Sequence, residues 1–347
     1  MATPTPVVPA PPGVTPDFNT PHIWLRTANR VIVVVGLVIS SCCLIMRTYT
    51  KTCIMRKIWW DDFCIIVAWI FALITQTLIL YGYDHGGIGV HIWNLTVPTF
   101  NVFQKAVLAA AIIYIPALAF AKLAIIMLYY RLLNPLQPYR YLLWFIAAII
   151  TSYSVALMLA LIFACHPIER AWNVAITTGS CIDRPAVYLA TAITNTVSDV
   201  ILIIVPIPAV IGLHLPRIQK IGVICIFAVG CLTIITSILR LATLMPLVTS
   251  PDPSYKLALA SIFINIEANF IIICGCLPYI RQFLRYHAPK CIGEDRRRCS
   301  GQDPSDKSDP KRRRKAAPME LQDDIELQLF EIEEVHDLGP RRTPLEH

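Results

Sequence analysis

Long apolar runs separated by short polar connections fill the chain from residue 29 to residue 280. A helix rises about 1.5 Å per residue, so a hydrocarbon layer of about 30 Å takes about 20 apolar helical residues. Seven runs meet this requirement: 29–47, 61–82, 103–129, 141–165, 187–212, 221–246 and 257–280. The first is the shortest and is interrupted by Ser40, Ser41, Cys42 and Cys43. The pattern predicts an all-α fold, a seven-transmembrane helix bundle over 29–285. It is flanked by a disordered N-terminal segment, 1–28, and a largely disordered tail, 286–347.

Composition agrees with the pattern. Charged residues make up 15% of the 347 and hydrophobic residues 56%, whereas a soluble domain carries about 25% charge. The bilayer is therefore the expected surrounding. The formal net charge of +7 is unevenly spread. Arg47, Lys51, Arg56 and Lys57 lie after the first run, Arg131 and Arg140 after the third, Arg217 and Lys220 after the fifth. Arg281, Arg285, Lys290 and Arg296–Arg298 follow the last. The second and sixth connections hold no lysine or arginine, and the fourth holds only Arg170 and Arg184. Because basic loops stay cytoplasmic, this alternation places the N-terminus outside and the tail in the cytoplasm. The plasma membrane is the expected location, ahead of an endomembrane. The first 29 residues lack a basic start leading into an apolar run, so no cleaved leader is expected.

Two features suit that orientation. Asn94-Leu95-Thr96 is a glycosylation acceptor pattern in an expected outer loop. Cys165 and Cys181 are the two cysteines of the expected outer loops, where an oxidising compartment favours a disulfide around Trp172. In the tail, the basic run at 311–315 reads as a solvated flank, and no nucleic-acid partner is expected. Residues 319–335 alternate in a way that fits a helix or a strand and form a docking segment. The inner loops and tail are the expected seat of a cytoplasmic signalling partner. Cys291 is a candidate for palmitoylation.

Polar side chains inside the runs are few, and hydrocarbon makes each one costly. They are Gln76, Lys122, Asn195, Asp199, Arg240, Asn265, Glu267 and Asn269. Counting from its outer boundary puts Glu267 about 15 Å deep, near the midplane. Asn195 and Asp199 are four apart and share a helix face, as do Asn265 and Asn269. Glu267, two positions from each asparagine, points nearly the opposite way, so the last helix needs partners on more than one side. Arg240 is the expected partner of Glu267, with snorkelling outward as its alternative. Lys122 has the same choice between Asp199 and the cytoplasmic surface. One reading of this polar set is a packing anchor; the other is a buried switch.

Several chemistries are not supported. A retinal Schiff base needs a lysine deep in the last helix, and that helix offers only Lys256 at its outer edge. No HExxH motif is present, and Gly86–His91 lacks the strand and helix of a dinucleotide site. Asp84, His85 and His91 read as a hydrated loop rather than a metal set. No enzyme activity, cofactor or metal is expected.

Taken in order, the polar landmarks resemble a known group. They are Asn29-Arg30, Arg47, Trp60-Asp61-Asp62, Gly86–His91, and Tyr114 with Lys122. Cys165-x-Pro167 with Trp172 and Cys181 follows, then Asn195 with Asp199 and Pro206-x-Pro208. Arg240 and Glu267-x-Asn269 with Leu277-Pro278 complete the series. Over about residues 25–285 the chain is similar to the fungal rhodopsin-like integral membrane proteins, which include Pth11-like receptors and the SAT4 family. The resemblance implies seven helices without retinal and a receptor-like role in sensing or transmitting a signal. The alternative it implies is an accessory or transport protein of a secondary-metabolite pathway. Residues 1–41 hold no cysteine, so the outer eight-cysteine module of some of these receptors is not expected.

Overall fold

The computed structural model describes residues 6–13, 23–56, 58–132, 137–211, 217–250 and 252–287. The docking segment 319–335, the basic run 311–315 and Cys291 lie outside the described residues. Helices are α1 (Ile23–Tyr49), α2 (Trp60–His85), α3 (Val97–Leu132), α4 (Gln137–Ile162), α5 (Arg184–Ile204), α6 (Pro206–Ile211), α7 (Arg217–Thr249) and α8 (Pro253–His287). Among the described residues, seven helical stretches are long and apolar enough to cross a membrane. The all-α seven-helix architecture read from the hydropathy pattern is therefore present.

The ends differ in physically simple ways. Helix α1 starts at Ile23, before the apolar run begins, and continues past Tyr49 as a π-helical turn over Thr50–Met55. Asp61 and Asp62 sit in the first turn of α2, where the helix dipole favours negative charge. Asp62 also accepts from the Trp59 backbone N–H at 3.2 Å. At α5, the Asp183 carboxylate accepts from the Ala186 N–H and a proline stands in the first turn. The expected fifth span, 187–212, is divided: Val205 still donates to Ile201 at 3.0 Å, but Pro206 has no N–H with which to continue the ladder. Pro116, by contrast, lies inside an uninterrupted α3.

Helices α3 and α8 are central: 61% and 67% of their apolar stretches are buried, against 22% for α1 and α4. Small residues let the backbones approach. Ala68 and Ala72 of α2, Ala117 and Ala121 of α3 and Ala268 and Cys276 of α8 share one buried cluster, the kind of contact that holds helices together where lipid removes the hydrophobic drive. Outward-facing Val31, Val34, Val35 and Val38 of α1, and Trp144, Phe145 and Ile149 of α4, stay exposed. In water this surface would be unfavourable; in hydrocarbon it is the expected solvent contact.

The connections from α2 to α3, α4 to α5 and α7 to α8 crowd together at one end. Gly87 and Gly89 take positive φ of 74° and 86°, a conformation that glycine adopts without a Cβ penalty. This turn docks on α8: Gly89 donates to the Ser254 carbonyl at 3.0 Å, and the Ser254 hydroxyl donates to Val90 at 2.7 Å. Pro6 pairs with Thr96, and Val7 donates to Leu95 at 3.1 Å, so part of segment 1–28 is bonded to this loop. Strands β1 (Cys165–His166) and β2 (Ser180–Cys181) pair antiparallel. They are joined by the Cys165–Cys181 disulfide.

Candidate functional site: buried charge networks

Helix α5 carries Asn195, Ser198 and Asp199 on one face, because residues three and four apart lie one above another. Ser237 and Arg240 repeat that spacing on α7. Tyr114 and Lys122 come from α3 and Glu267 from α8. All eight side chains converge at the bundle centre and are buried.

Glu267 is the hub. Its Oε2 lies 2.8 Å from Arg240 Nε and accepts from the Tyr114 hydroxyl at 2.5 Å. Its Oε1 accepts from Asn195 Nδ2 at 2.5 Å and from Ser237 Oγ. The second carboxylate, Asp199, meets Lys122 Nζ at 2.9 Å through Oδ1. Its Oδ2 accepts from Ser237 at 2.7 Å and from Asn195 at 3.1 Å. Lys122 also donates to Asn195 Oδ1 at 2.7 Å and to Ser198 Oγ at 2.5 Å. Arg240 and Lys122 therefore turn inward to acids and do not snorkel. Two cations and two anions cancel, which is what a low-dielectric interior requires.

Ser237 occupies a particular position. Its hydroxyl has one proton and lies within reach of both carboxylates, so it donates to one at a time. Asn195 has two amide protons and bridges both carboxylates at once. The pair of ion pairs is thus joined by one fixed link and one that can alternate.

Asn265 and Asn269 belong to a separate network on the opposite face of α8. Asn265 Nδ2 donates to Asn29 Oδ1 at 2.8 Å. Asn269 Nδ2 donates to Gln76 Oε1 at 3.2 Å, and its Oδ1 accepts from Ser40 at 2.9 Å. The offset of Glu267 from the two asparagines thus corresponds to α8 contacting α3, α5 and α7 on one side and α1 and α2 on the other.

A third cluster was not anticipated from the chain. Arg47 Nη2 meets Asp61 Oδ2 at 2.5 Å and Asp62 Oδ1 at 3.0 Å, and Lys51 Nζ meets the same carboxylates at 2.6 and 2.7 Å. Arg47 Nη1 also donates to the Gly275 carbonyl, and Tyr279 donates to Asp61. Sequence reasoning counted Arg47 and Lys51 as loop charges. Arg47, in the last turn of α1, and Lys51, in the π-helical turn, instead lie inside, where each is 1% exposed. The available signal was the spacing: two basic residues four apart, then an acidic pair opening the next helix.

The remaining residues lie at the crowded loop end. Asn94 ends a 3-10 turn, Ile92–Asn94, and is half-buried. Asp84 pairs with Arg26 at 2.6 Å and Arg30 at 3.1 Å. His91 contacts Asp252 at 2.5 Å and stacks on Trp93 and Tyr255, each with centroids 4.5 Å away. Lys256 sits in the first turn of α8. Among the described residues no group of three or more His, Cys, Asp or Glu could hold a metal.

Comparison with known proteins follows the same outline. The polyenoic acids biosynthesis gene cluster protein Ba17b of Metarhizium anisopliae is 26% identical over 281 residues, 77% of this chain and 76% of its own. The Fugralins biosynthesis cluster protein 2 of Gibberella zeae is 24% identical over 287 residues, 79% of this chain and 70% of its own. A SAT4 family membrane protein of Emericella nidulans is 29% identical over 209 residues, 58% of this chain and 52% of its own. No solved structure matches. The family model of the fungal rhodopsin domain matches residues 46–286, from the end of α1 to the end of α8 and across both charge clusters, and the chain is a multi-pass membrane protein belonging to that family.

Proposed function

We propose that this protein is receptor-like: it registers an event at the disulfide-bearing end or within the bundle and passes it to the opposite end. The observation that carries the reading is the shared Ser237 hydroxyl between Asp199 and Glu267. A neutral four-charge network with one alternating proton donor has two arrangements of similar composition, and a bistable element of this kind is what a switch requires. Polar contacts here span α3, α5, α7 and α8, so a change at one helix reaches three others. In this reading the N-terminus faces outside, the tail is cytoplasmic, the plasma membrane is the site of action, and the chain catalyses no reaction of its own. Asn94 is the glycosylation acceptor.

The test is reconstitution. Vesicles containing only this protein are assayed for stimulated guanine-nucleotide exchange on added heterotrimeric G protein. Faster exchange that disappears in Ser237→Ala supports the reading. Exchange that the reconstituted protein leaves unchanged overturns it.

A second reading rests on the relatives, two of which carry names from metabolite biosynthesis clusters. In it, this chain assists or transports for such a pathway. Deleting the gene should then remove a metabolite while neighbouring biosynthetic genes remain transcribed; an unchanged metabolite profile excludes it.

A further inference from the structure

A cavity of about 70 Å³ lies among α2, α3, α4, α5, α7 and α8, beside the Arg240–Glu267 pair. Its wall is mainly apolar, including Ala110, Leu244 and Leu257, with Thr75, Tyr114, Tyr188, Thr191, Ser261 and Arg240 as the members that carry polar atoms. Arg240 is 2% exposed, and its Nη2 is buried without a hydrogen-bond acceptor. A buried donor left unmade is costly, and a guanidinium cannot relieve the cost by losing a proton.

Charge decides what fits. Lys122 is balanced by Asp199 and Arg240 by Glu267. An anionic occupant would bury an uncompensated charge. A hydrocarbon would leave Nη2 unpaired. A neutral oxygen acceptor meets both demands. Size limits the rest: 70 Å³ is about half of the ~150 Å³ cavity that holds benzene. The fitted part is thus a small head group, and a longer body requires the helices to part.

We infer that this cavity binds the carbonyl head of a neutral, mainly apolar small molecule, with Arg240 Nη2 as the donor. The inference rests on the receptor-like reading and names the ligand class for it. Entry of such a molecule pulls on the same arginine that holds Glu267, which couples occupancy to the network.

The experiment uses the full chain in lipid nanodiscs and 2-decanone carrying a diazirine on its chain. After irradiation, mass spectrometry locates the label. Label is expected on the α7 and α8 peptides containing Leu244 and Leu257. Unlabelled 2-decanone should compete about tenfold better than decane, the worth of one hydrogen bond to a charged donor, and better than decanoate. Ala110→Phe fills the cavity and should abolish labelling, while lipid-facing Val38→Phe should leave it intact. Elution as a single species and an intact disulfide establish that each variant is folded; Ala110→Leu replaces Ala110→Phe if the latter fails this check. Equal competition by decane, stronger competition by decanoate, or labelling indifferent to the Ala110 variants overturns the inference. Labelling reads occupancy alone: a labelled chain without G-protein coupling refutes the receptor reading and keeps the site, and coupling without cavity labelling does the reverse.

Discussion

Removing both partners of the Arg240–Glu267 pair should cost well below the sum of removing each one alone. Glu267→Gln preserves size but leaves the Arg240 guanidinium facing a neutral amide, and Asp199, the other nearby acid, is already held by Lys122. Breaking a buried ion pair from one side costs about 3–5 kcal/mol. Arg240→Gln should cost less, because a lone carboxylate has a neutral form and a guanidinium has none. The double variant holds no stranded charge: its new amide oxygen can keep Asn195 as a donor, and its amide nitrogen can donate to the Tyr114 hydroxyl. Its loss should therefore fall well below the sum of the singles, with a coupling of about 2–3 kcal/mol. The assay is unfolding in mixed micelles titrated with denaturing detergent, read by far-UV circular dichroism, with the disulfide intact throughout. Additivity within about 0.5 kcal/mol would show that the two residues do not depend on each other, and the charge-network argument would fall with it.

Other consequences are checked by similar means. Asp61→Asn leaves Arg47 and Lys51 sharing one acid and should destabilise by about 3–5 kcal/mol, seen as a lower detergent midpoint. Paired Cys165→Ser and Cys181→Ser, which open a loop of sequence separation 16, should cost about 3 kcal/mol, and reductant should lower the melting point of the natural chain but not of the variant. A Cβ at position 36 would stand 2.5 Å from Asn269 Nδ2, so Gly36→Ala should cost about 1–3 kcal/mol, partly recovered by adding Asn269→Ala. Cys53, an exposed free thiol at the end opposite the disulfide, should react with an impermeant maleimide only after cells are permeabilised; labelling in intact cells would reverse the proposed orientation.

The spans were legible because hydrocarbon imposes one rule on every residue of a helix. A run of valine and isoleucine such as 31–39 has no other comfortable surrounding, and its length matches the layer. Helix ends were less so. Helix α1 extends into the π-helical turn Thr50–Met55, and what holds it there is the contact of Arg47 and Lys51 with two aspartates on α2. Hydropathy scores a basic residue near a span end as a solvated loop charge and carries no information on a partner ten residues away.

Partnership within the bundle was legible only in part, and the reason is rotational. Helical spacing showed that Glu267 faces away from Asn265 and Asn269, because that statement concerns one helix alone. Which helix stands opposite depends on how seven cylinders pack, and small residues such as Ala121 and Ala268 settle that through shape. Charge narrows the choice. With two buried cations and two buried acids in the centre, neutrality admits only two pairings, and depth separates them: Arg240 lies nearer the disulfide end and Lys122 nearer the other. Ser237 could not be foreseen at all, since serines are common in spans and most bond to their own backbone, as Ser40 and Thr75 also do. Its importance comes from standing between two carboxylates. In the receptor-like reading proposed above, the same geometry makes Glu267 more than an anchor. An acid whose hydrogen bonds come from α3, α5 and α7 is held only while those helices keep their positions, so any ligand that draws Arg240 aside changes what all three can offer it.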